Sequence, residues 1–166
     1  MTRFSPDPQG SVTRMNETDR AAAHRHFSSE CFNRSWELLD RADRSAADDE
    51  QMLLTALASL WHWTQRADCS DQNLSIGFWQ VSRVYSLLGQ ADNARRFGEL
   101  CLQRSGELSP FFRAYAHESL ARAAMLAGDK LLLDAHAAAA RKLSAEVAEP
   151  DDRALLQTDL EQLRLP

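Results

Sequence analysis

The chain has 166 residues, long enough for one domain with a real core and short for two. It is 44% hydrophobic and 26% charged with a formal net charge of −5, which places it among soluble globular proteins. Its 19 Lys and Arg are spread among 24 acids, so no basic footprint for nucleic acid stands out, and no apolar run approaches the roughly 18 residues of a membrane span.

Residues 1–15 hold two Pro, a Gly and few apolar groups. That segment is expected to be disordered, and it lacks the apolar centre of a secretory signal. A single helical domain is expected over residues 16–166. Abundant Ala and Leu, with few Gly, Pro and Tyr, favour helices over strands.

Asn16 is a plausible N-cap for a helix over 17–42, with Asp19 in its first turn. Its apolar groups recur at Ala23, Phe27, Cys31, Leu38 and Ala42, widened by Phe32, Trp36 and Leu39. After a polar break, Ser45 or Asp48 caps a second helix over 49–66. Apolar residues surround this helix from Met52 to Trp63, so it is expected to be buried, and Thr55, Ser59 and His62 then need partners.

A third helix runs from about Leu74 to Leu88 and ends at Gly89, and a fourth covers about 91–104. Ser109 and Pro110 open a fifth, 110–127, which ends at Gly128. The sixth, 129–147, is alanine-rich, and Pro150 precedes a last amphipathic helix with Leu155, Leu156, Leu160 and Leu163 on one side. The fold class read from this pattern is all-α. Cys31, Cys69 and Cys101 make no C-x-x-C pair and read as reduced thiols in a cytoplasm, Cys31 and Cys101 being small core residues.

Helix pairs joined by glycine turns call for a repeat test. Gly89 and Gly128 lie 39 residues apart, and Ser82 and Ala121 each fall seven before their glycine. The unit over 78–102 resembles the tetratricopeptide repeat in Phe78, Ser82, Tyr85, Gly89 and Ala94, and departs from it at Gly98 and Gly106. The next unit keeps Ala121, Gly128, Ala137 and Ala140 and departs at His117, Ala124 and Leu133. The period exceeds the usual ~34 by about five residues. Overall the chain is similar to small bacterial tetratricopeptide-like proteins.

That resemblance implies a short right-handed solenoid of about three helix pairs with a terminal capping helix. It also implies a concave face, lined by the first helix of each pair, that binds peptides. The groove offsets are Ile76, Trp79, Arg83 and Ser86 in one unit, and Tyr115, Glu118, Arg122 and Met125 in the next.

Trp79 and Arg83 are four apart, and Tyr115, Glu118 and Arg122 step by three and four, so each set shares a helix face. On adjacent helices they make one patch of two guanidinium groups, a carboxylate and two rings, able to clamp an acidic side chain or C-terminal carboxylate. The plainer alternative for Glu118 and Arg122 is an exposed i,i+4 ion pair. His62, between two tryptophans, is either a satisfied core histidine or a general base. His26 and Glu30 stand four apart on a polar strip of the first helix, best read as solvated.

Three classes of function follow. The first is a non-enzymatic module that binds a peptide or protein segment through Trp79, Arg83, Tyr115, Glu118 and Arg122. The second is a small-molecule or catalytic site with His62 as base, Glu118 as acid, and Arg83 and Arg122 holding an anion. The third is structural self-association as a homodimer. No cofactor, metal, nucleic acid or membrane is expected among the partners.

Overall fold

The computed structural model describes residues 16–164, so the disorder expected of residues 1–15 lies outside the described residues. These fold into seven helices and no strand: α1 (Glu17–Leu39), α2 (Ala46–Thr64), α3 (Asp71–Leu87), α4 (Ala91–Ser105), α5 (Pro110–Ala127), α6 (Lys130–Ser144) and α7 (Pro150–Glu161). Local chemistry sets most of the ends. Asn16 accepts from the Asp19 amide, and Ser45 and Ser70 close capping boxes with Asp48 and Asn73. The box at Ser70 starts α3 one turn earlier than the apolar pattern suggests, because a cap counts hydrogen bonds and not hydrophobicity. Gly89 and Gly128 take the left-handed conformation, φ 73° and 72°, that ends α3 and α5.

Consecutive helices pack on each other, α3 also packs on α5, and α7 packs on α5 and α6. Within the first pair, Ser59 meets Ser28 and Ser35 meets Met52, so one chain number rises as the other falls and α1 and α2 are antiparallel. Ser75 with Ser105 and Ser82 with Ala94 give the same sense to α3 and α4. Between α3 and α5 the offset is instead nearly constant. Trp79 meets both Tyr115 and Glu118, and Arg83 meets Glu118, so these two helices run parallel.

Two apolar clusters form the core. Leu38, Met52, Leu60, Val81 and Val84 join α1, α2 and α3, while Leu133, Leu143, Leu156 and Leu160 join α6 and α7, closed by alanines of α5. Between them α4 and α5 come very close. A Cβ on Gly98 would lie 2.9 Å from the Leu120 side chain and 3.1 Å from the Ser119 hydroxyl. Glycine stands there, where the repeat pattern has an aromatic, because α5 already fills that space.

Two expectations for the first pair need correction. The line of α1 that is buried runs through Ser28, Ser35 and Leu38, while Phe27 is exposed and Cys31 only half-buried. Serines face α2 because a small side chain lets the helices approach and each hydroxyl finds a carbonyl, Ser35 on Met52 and Ser28 on Arg25. Nor is α2 buried all round: Leu54 is 57% and Trp61 54% exposed, since only α1 and α3 cover this outer pair. Its polar members are paired as the pattern requires, Thr55 to the Gln51 and Met52 carbonyls and Ser59 to that of Ser28.

Candidate functional site

The constant offset between α3 and α5 turns two sequence faces into one site. Trp79 projects from α3 toward Tyr115 of α5, with ring centroids 5.4 Å apart at a steep angle. On its other side Trp36 of α1 lies 5.6 Å away, and Phe111 packs on Tyr115 at 5.0 Å. These rings wall a cavity of about 450 Å³. Phe32, Trp36, Leu39 and Asp40 line it from α1 and its end, Ser75, Ile76, Trp79 and Arg83 from α3, and Phe111, Phe112 and Tyr115 from α5. Cys101 lies on α4, and α7 completes the wall with Leu155 and Asp159.

Beneath this wall lies a network of charges. Glu118 is 0% exposed. Its Oε1 accepts from Nε of Arg122 at 2.7 Å and from Nη2 of the same fork, and its Oε2 accepts from Nε1 of Trp79 at 3.2 Å. Arg83 Nη1 lies 3.6 Å from the same Oε1, and Arg83 Nη2 lies 3.8 Å from Oδ1 of Asp159. Tyr115 donates its hydroxyl to the other Asp159 oxygen at 3.0 Å. Two guanidinium groups and two carboxylates thus balance in a partly dry site, where each charge depends on its partners. Burial, and then the neighbouring Arg122, push the Arg83 guanidinium below its ordinary value, with Glu118 and Asp159 acting in the opposite sense.

Trp79, Arg83, Tyr115, Glu118 and Arg122 are therefore brought together, but in two layers. Trp79, Arg83 and Tyr115 face the cavity, whereas Glu118 and Arg122 are buried and do not line it. The exposed ion pair weighed for Glu118 and Arg122 is not what forms. Nor is Arg122 free to clamp an anion, because its fork is held by Glu118.

His62 does not share this cavity. It lies on α2 with Nδ1 2.9 Å from Nδ1 of His24, among the rings of Phe27 and Trp61. A base at His62 and an acid at Glu118 thus have no common space in which to act. Cys101, at the cavity wall, has its thiol pushed up to about 11 by burial, so it is protonated and a poor nucleophile at neutral pH. His26 and Glu30 are exposed, and among the described residues no three His, Cys, Asp or Glu side chains are grouped to hold a metal ion.

The pattern missed Asp159, Phe111 and Phe112 as members of the site. Phe111 and Phe112 follow Pro110 in a first turn, where a ring reads as well as core. Asp159 is one acid among several on an amphipathic helix, and nothing local marks it. Its role comes from where α7 docks.

A second histidine pair lies outside the cavity. His117 of α5 and His136 of α6 approach to 3.0 Å through their Nδ1 atoms, in the places held 39 residues earlier by Phe78 and Phe97. One ring donates and the other accepts, which requires at least one to be neutral. Burial lowers both below the ordinary 6.5, and for His117 the facing His136 and Arg113 lower it further. Below that value the unfolded chain binds more protons than the folded pair. Stability is thus full above about pH 6.5 and falls as the pH drops through the lowered values. The double variant His117→Phe, His136→Phe should lose less urea stability than the parent between about pH 7.5 and pH 5.5. An equal loss in both proteins would place the pH dependence elsewhere.

Comparison with family models, with curated proteins and with solved structures finds no match for this chain.

Proposed function

We propose that the chain is a non-enzymatic interaction module of tetratricopeptide-like design, which takes an apolar or aromatic side chain of a peptide partner into the cavity between α1, α3, α5 and α7. The observation that carries this reading is the cavity itself. It is walled by six aromatic rings, with a few polar groups converging on one side, the composition expected of a recognition pocket. Antiparallel pairs succeeding one another, with parallel contact between residues 39 apart such as Trp79 and Glu118, support the repeat reading. The first helices of all three pairs contribute wall residues, as a concave binding face requires.

The depth of the site modifies the groove that the repeat resemblance implies. With α7 contributing Leu155 and Asp159, the cavity suits one side chain held in place better than a long strand passing through. The same volume falls within the roughly 300–1,000 Å³ of small-molecule sites, so a compact apolar ligand is the second reading.

Selection of displayed random peptides on the protein tests the first reading, with Leu155→Arg as counter-target. Leu155 is 56% exposed at the cavity wall, so the substitution adds a charge there with little cost to folding. Enriched peptides should share an aromatic or large aliphatic residue and should lose at least tenfold in affinity for Leu155→Arg. Peptides that bind both proteins equally, or no enrichment, would exclude the cavity as the peptide site.

A further inference from the structure

Apart from its rings, the cavity has one polar requirement, and what it implies rests on the reading of this cavity as a ligand site. Arg83 lines the cavity, and its Nη1 is buried without a hydrogen-bond partner. The surrounding acids do not meet it. Glu118 Oε1 stands 3.6 Å from Nη1, beyond hydrogen-bond reach, and already accepts from both Nε and Nη2 of Arg122. Glu118 Oε2 accepts from Trp79, and Oδ2 of Asp159 from Tyr115. A guanidinium N–H held from water without an acceptor is costly, and the group has no way to shed its charge at neutral pH.

We propose that the cavity's ligand is an apolar body carrying one uncharged hydrogen-bond acceptor, an amide or ester carbonyl, which is received by Nη1 of Arg83. The charges nearby select against the other candidates. Arg83 and Arg122 are already balanced by Glu118 and Asp159, and Asp40 on the wall adds a further negative charge. A carboxylate or phosphate on Nη1 would stand among three carboxylates and two guanidinium groups, so it gains less from Arg83 than it loses in hydration. A cation would have to approach Arg83 itself. A pure hydrocarbon would leave Nη1 unpaired in a site made drier by its own binding. A neutral carbonyl meets the N–H without disturbing the balance. On a peptide that acceptor is the main-chain carbonyl beside the captured side chain, and on a small molecule it is a carbonyl substituent.

Three compounds that share a phenylpropyl body separate the terms: 3-phenylpropanamide, 3-phenylpropanoate and propylbenzene. Binding is read from the indole N–H resonances of Trp36 and Trp79 in the ¹⁵N-labelled protein. In the parent protein the amide should bind more tightly than the carboxylate. In Arg83→Met the affinity ratio of amide to propylbenzene should fall about tenfold, the loss of one hydrogen bond to a charged donor, with propylbenzene itself retained. Arg83→Lys, which keeps a charged donor, should retain part of the ratio.

Tightest binding of the carboxylate by the parent protein, or an unchanged ratio in Arg83→Met, would overturn the acceptor assignment while leaving the apolar cavity in place. Should none of the three compounds move either indole resonance, the cavity is not a ligand site and both readings fall. The comparison of amide with carboxylate needs only the parent protein, so the proposal stays testable if a variant does not fold.

Discussion

Glu118→Ala should cost about 3–5 kcal/mol of folding stability, measured as the loss in unfolding free energy by urea denaturation. The side chain is wholly buried and accepts from Arg122 and Trp79, with Arg83 close by. Deleting it leaves two guanidinium groups in a low-dielectric site with only Asp159 near them, at 3.8 and 3.9 Å. The loss is expected from uncompensated charge more than from a vacated volume. Adding Arg122→Met to Glu118→Ala should therefore recover part of it, since removing a buried pair is cheaper than removing one member. A loss under about 1 kcal/mol for the single variant would mean that water reaches the network and that the rings above it have no rigid base.

The second large effect is expected at Leu156→Ala, at about 2–5 kcal/mol. Leu156 is 0% exposed and anchors α7 in the cluster of Leu133, Leu143 and Leu160. Its neighbour Leu155, facing the cavity, is the internal control: Leu155→Ala should cost less than about 1 kcal/mol. If the two variants were equally mild, α7 would be loosely attached, and its contribution of Asp159 to Tyr115 and Arg83 would be transient. Urea midpoints of both variants decide between these outcomes.

The site is the meeting of these two effects. Rings from α1, α3 and α5 shape the apolar space, Glu118 fixes Trp79 and Arg122 beneath it, and α7 adds a carboxylate and one more piece of wall. None of these parts makes a site alone. Trp79 would be an ordinary packed indole without Glu118 behind it, and Arg83 an ordinary surface cation without the cover of α7. The balance of charge turns an apparent anion clamp into a site that favours a neutral acceptor.

Much of this was legible in the order of residues, where the governing interactions are local or periodic. Pro110 and Gly128 bound α5 because proline suits a first turn and glycine a left-handed end. Asn16 and Ser45 cap their helices through groups three residues away. The 39-residue spacing of Gly89 and Gly128 also put Trp79 opposite Glu118, since a fixed chain offset becomes a contact once two helices stack in parallel. What failed was any inference that needed the depth of a residue. Ser28 and Ser35 read as polar surface and are buried, and Trp61 reads as core and is exposed.

By itself, then, the sequence determined an all-α chain, nearly all of its helix ends, and the juxtaposition of Trp79 and Arg83 with Tyr115, Glu118 and Arg122. Caps, turns and periodic offsets are short-range or repetitive, and they survive in a linear reading. Only the tertiary structure decided that Glu118 and Arg122 lie beneath the wall, that His62 belongs with His24, and that Asp159 closes the site from α7. Those outcomes depend on how far each helix is covered by the next, and on where a terminal helix docks. Burial is a property of the whole packed set, and no local pattern encodes it.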